Sequence, residues 1–337
     1  FCCMSAWWYY ICSAQEKIMK ILITGACGYQ GTRLVSKLLK KNIKVVAIDT
    51  QWFGNYLTRH KNLKNIKKNI LDINEKDLDG VDIIIHLASI ANDLMGDLVQ
   101  NLTWEYSCIA TMKLIELSIK KKVSKFIFAS SASVYGVKKD RKVTENLSLE
   151  PISIYNKAKM ITERTILSYA DKINITIIRP ATVCGISPRM RFDVSVNMMT
   201  YQALKNGTMT VFGGQQTRPN IHIDDLLDIY IFFFKKDKKF NGIFNAGFEN
   251  LKIIEIAKKV QKLIPSKINI IKKNIDIRDY RVDSSKLLAL GFKPKKNVNN
   301  AITEIIKSYK NNIKNVDQKT FSIKWLKKNY KKYFFKQ

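Results

Sequence analysis

Met19-Lys20-Ile21-Leu22-Ile23-Thr24-Gly25-Ala26-Cys27-Gly28-Tyr29-Gln30-Gly31 runs from an apolar stretch through a glycine-punctuated turn into an amphipathic one. The order reads as a first strand, a tight turn and the start of a first helix. Glycines at 25, 28 and 31 allow that turn and let backbone amides approach a pyrophosphate at the helix N-terminus, where the helix dipole favours negative charge. Tyr29 and Gln30 lie inside the turn and are assigned to the same site. Asp49 closes the next apolar run, Lys44–Asp49, where a carboxylate accepts hydrogen bonds from a ribose diol. An arginine or a small residue there would point to a phosphorylated ribose, so the aspartate points to NAD.

Outward from this unit, short apolar runs alternate with amphipathic stretches, which is the pattern of a parallel sheet covered by helices. The strands predicted are Lys20–Thr24, Lys44–Asp49, Ile66–Leu71, Asp82–Leu87, Lys125–Ser130 and Ile175–Arg179, with helices over Gly31–Lys40, Thr103–Lys121 and Ser153–Tyr169. The fold class is α/β, a Rossmann-type doubly wound parallel sheet with a smaller C-terminal substrate-binding lobe. Asp72-Ile73, at the end of the third strand, is placed to reach an adenine, and Leu87-Ala88-Ser89, at the end of the fourth, to pass close to the cofactor. After Pro180 the rhythm loosens, with turn signals at Gly185, Pro188, Gly207, Gly213-Gly214 and Pro219. The expected organisation is a cofactor domain over 19–180, a lobe over 181–315 with some return to the first domain, and a basic aromatic tail over 316–337. Residues 1–18 differ in composition from the rest and read as an extension ahead of the first strand.

A net charge of +30 over 337 residues raises nucleic acid or an anionic membrane as partners. The lysines, however, are spread along the whole chain among isoleucine and asparagine rather than gathered in a stripe, so no nucleic-acid partner is expected. The tail Lys324-Trp325-Leu326-Lys327-Lys328 has two readings: a surface for RNA or lipid, or a helix laying its aromatics on the body with its lysines in water. Six cysteines without a Cys-x-x-Cys pair and three scattered histidines suit free thiols in a reducing, cytoplasmic setting and no metal site. No membrane insertion is expected either.

The chemistry is carried by Tyr155 and Lys159. Four residues apart, they share a helix face, so the ammonium can sit beside the phenol and favour its ionised form, a general base for an alcohol proton. Ser131, at the end of the fifth strand, stands between this pair and the glycine turn in sequence. Its hydroxyl has a plainer reading as a cap on local backbone.

Six ordered strings then mark a resemblance: Thr24-Gly25-x-x-Gly28-x-x-Gly31, His86-Leu87-Ala88-Ser89, Ser130-Ser131-Ala132-Ser133-Val134-Tyr135-Gly136, Tyr155-x-x-x-Lys159, Arg179-Pro180 and Arg218-Pro219-Asn220-Ile221-His222-Ile223-Asp224-Asp225. From Met19 to about Ser308 the chain resembles the extended short-chain dehydrogenase/reductase family, in particular its UDP-glucose 4-epimerase-like nucleotide-sugar epimerases and dehydratases. The resemblance implies that Tyr155 takes a proton from a sugar hydroxyl as hydride passes to NAD. It also implies that Lys159 lowers the tyrosine pKa and that Ser131 binds the reacting oxygen. The family's 4,6-dehydratases place Asp-Glu directly after the catalytic hydroxyl residue; Ala132-Ser133 stands here, which disfavours dehydration. The expected reaction is therefore epimerisation of a nucleoside-diphosphate sugar, with a 4-dehydrogenase or ketoreductase as the alternative on the same half-reaction. A non-catalytic NAD sensor or RNA-associated relative is disfavoured because Tyr155 and Lys159 are both present. For the substrate, the resemblance points to Thr182, Asn197 and Arg218. Arg191 and Arg281 add guanidiniums that either clamp phosphate or pair with carboxylates such as Asp193 and Asp283. Relatives commonly form homodimers through two helices, which correspond to Thr103–Lys121 and Ser153–Tyr169.

Overall fold

The computed structural model describes residues 18–334 apart from 141, 235–240 and 274–275. Residues 1–17 of the expected extension and 335–337 of the tail lie outside the described residues. The strands are β1 (Lys20–Thr24), β2 (Lys44–Asp49), β3 (Leu63–Lys67), β4 (Ile83–His86), β5 (Lys125–Ala129), β6 (Asn174–Pro180), β7 (Thr182–Cys184), β8 (Thr208–Phe212), β9 (Thr217–His222), β10 (Gly242–Ala246), β11 (Glu249–Lys252) and β12 (Lys267–Ile271). The helices are α1 (Tyr29–Leu39), α2 (Asp93–Leu98), α3 (Gln100–Trp104), α4 (Ala110–Lys120), α5 (Ile154–Leu167), α6 (Ser195–Asn206), α7 (Ile223–Phe234), α8 (Ile253–Leu263), α9 (Ser285–Ala289), α10 (Val298–Tyr309) and α11 (Ser322–Phe334).

Seven strands form one sheet in the order β10-β6-β5-β4-β1-β2-β3, every neighbouring pair parallel. Both faces are covered, which is why the strands read as unbroken apolar runs. Ile21 and Ile23 of β1 enter one core with Val45, Ala47, Ile83 and Ile85, packed with α1 and α7. Leu22 enters the other with Val46, Ile48 and Ile84, packed with α4. Each such side chain contributes about 1.5–3 kcal/mol by leaving water. The strand order reverses between β1 and β4, and a crevice opens there beyond the carboxyl ends of the strands.

Two predicted elements differ. The third strand is β3, ending at Lys67, because Asn69 turns the chain: its side chain accepts from Leu71 N at 3.0 Å and caps a single 3-10 turn over Ile70–Asp72. The predicted Thr103–Lys121 helix contains a π-helical turn over Glu105–Ile109 between α3 and α4.

Beyond β6 the chain builds a smaller lobe from a β11-β9-β7 sheet and the parallel β8–β12 pair. Its core joins Val196 and Met199 of α6, Val211 of β8, Ile256 of α8 and Ile302 of α10. The tail helix α11 lays Leu326, fully buried, on the main body and Trp325 against Phe53 at 4.7 Å between ring centroids, while Lys324, Lys327 and Lys328 stay exposed. That is the packing reading of the tail. Among the described residues no helix is long and apolar enough to cross a membrane.

Candidate active site

The crevice at the β1–β4 switch point is lined by the glycine turn, Asp49, Trp52, Phe53, Ile70 and Leu87-Ala88-Ser89. Gly25 has φ +69°, and a Cβ there would come within 2.7 Å of Ala88 N, so only glycine lets the turn meet the chain leaving β4. A Cβ on Gly31 would strike Ala26 Cα at 2.7 Å. Gly28 caps α1 without a side chain, leaving the approach to the first amides of the helix clear of a capping group. Asp49 accepts from Cys27 N (3.0 Å) with one oxygen and Gln51 N (2.6 Å) with the other, which leaves each oxygen a lone pair for a further donor. Burial raises its pKa, opposed by those two amides.

Behind the turn, a chain of hydrogen bonds ties β1 to β4. Thr111 Oγ1 donates to Ser107 O and therefore accepts from His86 Nε2 at 2.8 Å. His86 Nδ1 is then an acceptor for Thr24 Oγ1 at 2.6 Å, which in turn accepts from Ala88 N. Burial drives the His86 pKa to about 3, so the imidazole is neutral and this direction is fixed.

Asp72 and Ile73 do not reach the crevice. The turn capped by Asn69 leaves Asp72 exposed and sends Ile73 into the core, and Lys68 and Ile70 line the wall instead.

Ser131, Tyr155 and Thr182 line a second cleft that shares Tyr29, Gln30, Ala91 and Arg191 with the first. Ser131 Oγ accepts from Ser133 N at 3.2 Å, as a local cap, and lines the cleft together with Tyr155. The Tyr155 hydroxyl is pushed up to about 12, first by burial and then by Asp93, against the pull of Ser131 and Arg191. Lys159 does not produce the expected lowering. Its ammonium donates to Ala129 O at 2.7 Å and lies 4.6 Å from the Phe128 ring centroid, against 5.9 Å from the Tyr155 ring. A carbonyl at the end of β5 has captured it, and burial lowers its own pKa to about 7.

Among the expected substrate residues, Thr182, Arg191 and Arg218 line the second cleft. Arg191 pairs with Asp193 at 2.9 Å, and Arg218 with Asp276. Asn197 does not contact the cleft: fully buried, it donates to Tyr29 Oη (3.1 Å) and Arg191 O (3.0 Å) and accepts from Gly185 N (3.0 Å), fixing the loop that carries Arg191. Arg281 is exposed, because Tyr280 and Val282 turn inward on either side of it along an extended segment bridged to Val143. Arg278 takes the place expected of it, held by Asp276 (2.7 Å) and Asp93 (3.1 Å).

A family profile described as "NAD dependent epimerase/dehydratase family" matches residues 21–247. The chain belongs to that family. A Bacillus subtilis (strain 168) protein described as an uncharacterized UDP-glucose epimerase, YtcB, is 37% identical over 225 residues, covering 61% of this chain and 70% of that one. A Lactobacillus helveticus UDP-glucose 4-epimerase is 29% identical over 338 residues, covering 89% and 100%. Among solved structures, the UDP-glucuronic acid 4-epimerase of Bacillus cereus in complex with UDP-glucuronic acid and NAD superposes with a TM-score of 0.78 at 28% identity, covering 86% of this chain and 100% of that one.

The cofactor of this epimerase/dehydratase family member is NAD, and the first crevice fits it. The cradle closed to any Cβ at Gly25 and Gly31 suits a pyrophosphate, and the spare lone pairs of Asp49 suit a ribose diol. Sequence reasoning missed the far wall: Arg189, which stacks 4.1 Å from the Phe53 ring and donates to Ser322 Oγ at 2.8 Å, brings the start of α11 into the crevice. Nothing local marks such a wall, because Phe53, Arg189 and Ser322 are 136 and 133 positions apart along the chain and meet only when it folds. Asp93 and Ser133 were also missed as polar lining of the second cleft. His222, Asp224 and Glu304 lie close enough to share a metal ion, but Lys296 Nζ bridges Asp224 (2.7 Å) and Glu304 (2.5 Å), so a resident ammonium already balances these carboxylates.

Proposed function

We propose that this chain is an NAD-dependent nucleotide-sugar epimerase that oxidises one sugar hydroxyl, at C4, to a ketone and reduces it again on the opposite face. The observation that carries this reading is the meeting of Ser131 and Tyr155 in a cleft continuous with the cofactor crevice, beside Ala132 and Ser133 in place of the acids a dehydration requires. NAD held in the first crevice would supply the acceptor and donor of the hydride. Tyr155 in its ionised form takes the hydroxyl proton, and Ser131 holds the same oxygen through the change from alcohol to carbonyl. On return the proton goes back from Tyr155 to the oxygen. Arg218 and Arg278 face the cleft and bind the diphosphate, a role for which a guanidinium fork is suited. Lys159 holds the nicotinamide ribose.

UDP-hexoses and UDP-hexuronates are the substrates to try first, given the relatives named above. The free thiols of Cys27, Cys108 and Cys184 suit a cytoplasmic enzyme. A homodimer belongs to the same proposal: Ile109, Met112 and Ile161 expose 54%, 43% and 38% of their surface on the helical segments expected to pair, and a second copy would cover them.

The test is incubation with UDP-, GDP- and dTDP-sugars, with products read by NMR. The expected result is interconversion of two epimers without net NADH, lost by about 10²–10⁴-fold in Tyr155→Phe. Net accumulation of a keto-sugar with NADH would instead identify a dehydrogenase.

A further inference from the structure

Among the described residues three arginines are buried: Arg179, Arg189 and Arg218. Arg179 pairs with Glu163 and Arg218 with Asp276, whereas Arg189 makes no ion pair with any described carboxylate. Its contacts are neutral. The guanidinium donates through Nη1 to Met190 O (3.2 Å) and through Nη2 to Ser322 Oγ (2.8 Å), and its face lies 4.1 Å from the Phe53 ring centroid. Burial and the like charge of Arg191 lower its pKa to about 10, so it is still a cation at neutral pH. A buried cation without a counter-charge destabilises a fold unless a ligand supplies one. Where the charge lies says which ligand group that is. Arg189 lines the cofactor crevice together with the glycine turn. Two residues earlier Ser187 Oγ donates to Tyr29 O at 2.7 Å, and Tyr29 Oη donates to Gly185 O at 2.7 Å, so the loop that carries Arg189 is fastened to the first residue of α1. That helix end has free amides and a dipole that favours an anion. Asp49, at the other end of the same crevice wall, repels one.

We propose that Arg189 binds the pyrophosphate of NAD, reaching it from the 185–191 loop while the α1 amides reach it from the glycine turn, and that Ser322 is the positioning residue that aims the guanidinium. The C-terminal helix α11 thereby becomes part of the cofactor site, although it lies outside residues 21–247, which the family profile matches. Its own packing holds it there. Leu326 is fully buried, Trp325 lies 4.7 Å from the same Phe53 ring that carries Arg189, and Phe192 N donates to Thr320 O at 2.9 Å just ahead of the helix. The role does not depend on which reaction the second cleft performs. It has a thermodynamic consequence: the empty crevice carries an unbalanced charge, and the cofactor relieves it on binding.

The experiment compares wild type, Arg189→Met and Ser322→Ala, each freed of nucleotide, by calorimetric titration with NAD, ADP-ribose and adenosine and by thermal unfolding with and without NAD. Arg189→Met is expected to raise Kd for NAD and for ADP-ribose by about tenfold or more, the loss usual for a hydrogen bond to a charged group. Adenosine, which carries no phosphate, should bind the variant as it binds wild type. The apo melting temperature of Arg189→Met should stay level or rise, because an apolar side chain replaces an unbalanced charge, and the rise that NAD produces should shrink. Ser322→Ala should raise Kd for NAD and ADP-ribose by about threefold and leave the apo melting temperature where it is. An unchanged Kd in Arg189→Met, an equal loss for adenosine, or an NAD-induced rise as large as that of wild type would overturn the assignment and make Arg189 a packing residue of the wall. Unchanged affinity in Ser322→Ala would overturn the positioning role. If Arg189→Met does not fold, Ser322→Ala decides the proposal alone, by the same comparison of ADP-ribose with adenosine.

Discussion

Glu163→Gln is the most revealing single change in the protein scaffold behind the site. Glu163 stands one turn beyond Lys159 on α5 and binds Arg179 of β6 through both oxygens, at 2.6 Å to Nη2 and 3.0 Å to Nε, while also accepting from Ser130. The two side chains are 2% and 3% exposed. Replacing the carboxylate by an amide of the same shape leaves a guanidinium buried without its counter-charge, for which about 3–5 kcal/mol is the usual cost. At roughly 2 °C per kcal/mol for a chain of this size, the melting temperature should fall by about 6–10 °C. The same carboxylate holds the Lys159 pKa up against burial, so the lysine should also lose its proton at lower pH in the variant. Thermal unfolding of apo and NAD-loaded protein checks the first effect. Replacing both partners, as Glu163→Leu with Arg179→Met, should recover much of the loss, since an apolar pair carries no desolvation penalty. A Glu163→Gln loss under about 1 kcal/mol, or a double variant worse than the single, would refute the view that the pair is a compensated buried charge.

Gly31→Ala should weaken NAD binding by at least about tenfold, measured by calorimetry, because the new methyl strikes Ala26 and pushes α1 off the turn. Arg278→Ala should raise KM for the nucleotide sugar by about tenfold while Arg281→Ala leaves it unchanged, since only the first lines the cleft. The Lys159 pKa, lowered to about 7 in the fold from 10.5, means that the unfolded chain binds the proton more tightly through that interval. Stability of the apo protein relative to Lys159→Met should therefore rise with pH between about 7 and 10, as read from denaturant midpoints.

The fold was legible because its decisive signals are local. Gly25 and Gly31 are dictated by contacts with Ala88 and Ala26, and the apolar runs of β1, β2 and β4 follow from burial on both faces of one parallel sheet. The site was legible only in part. Ser131, Tyr155 and the glycine turn sit at strand ends and a helix start, places that a sequence pattern can name. Asp72 lies off the crevice because a side-chain cap by Asn69 ended β3 earlier than the apolar pattern suggested. Arg281 lies off the cleft through an extended segment's period of two, which buries Tyr280 and Val282 and turns the residue between them to water.

The discrepancy at Lys159 has a different origin and bears on how the chemistry is timed. A four-residue spacing correctly places lysine and tyrosine on one helix face, but spacing says nothing about what else competes for the ammonium. Here Ala129 O and the Phe128 ring take it, while Asp93 and burial hold the phenol protonated. The groups that favour ionisation of Tyr155 are instead Ser131 and Arg191, and Arg191 borders both clefts. Asn197 donates to the backbone carbonyl of Arg191, so it fixes the loop from which the guanidinium acts on the tyrosine. Asn197→Ala should accordingly shift the acid limb of kcat/KM to higher pH, as the guanidinium loses its fixed position, while a purely local packing role would lower stability and leave the limb where it is.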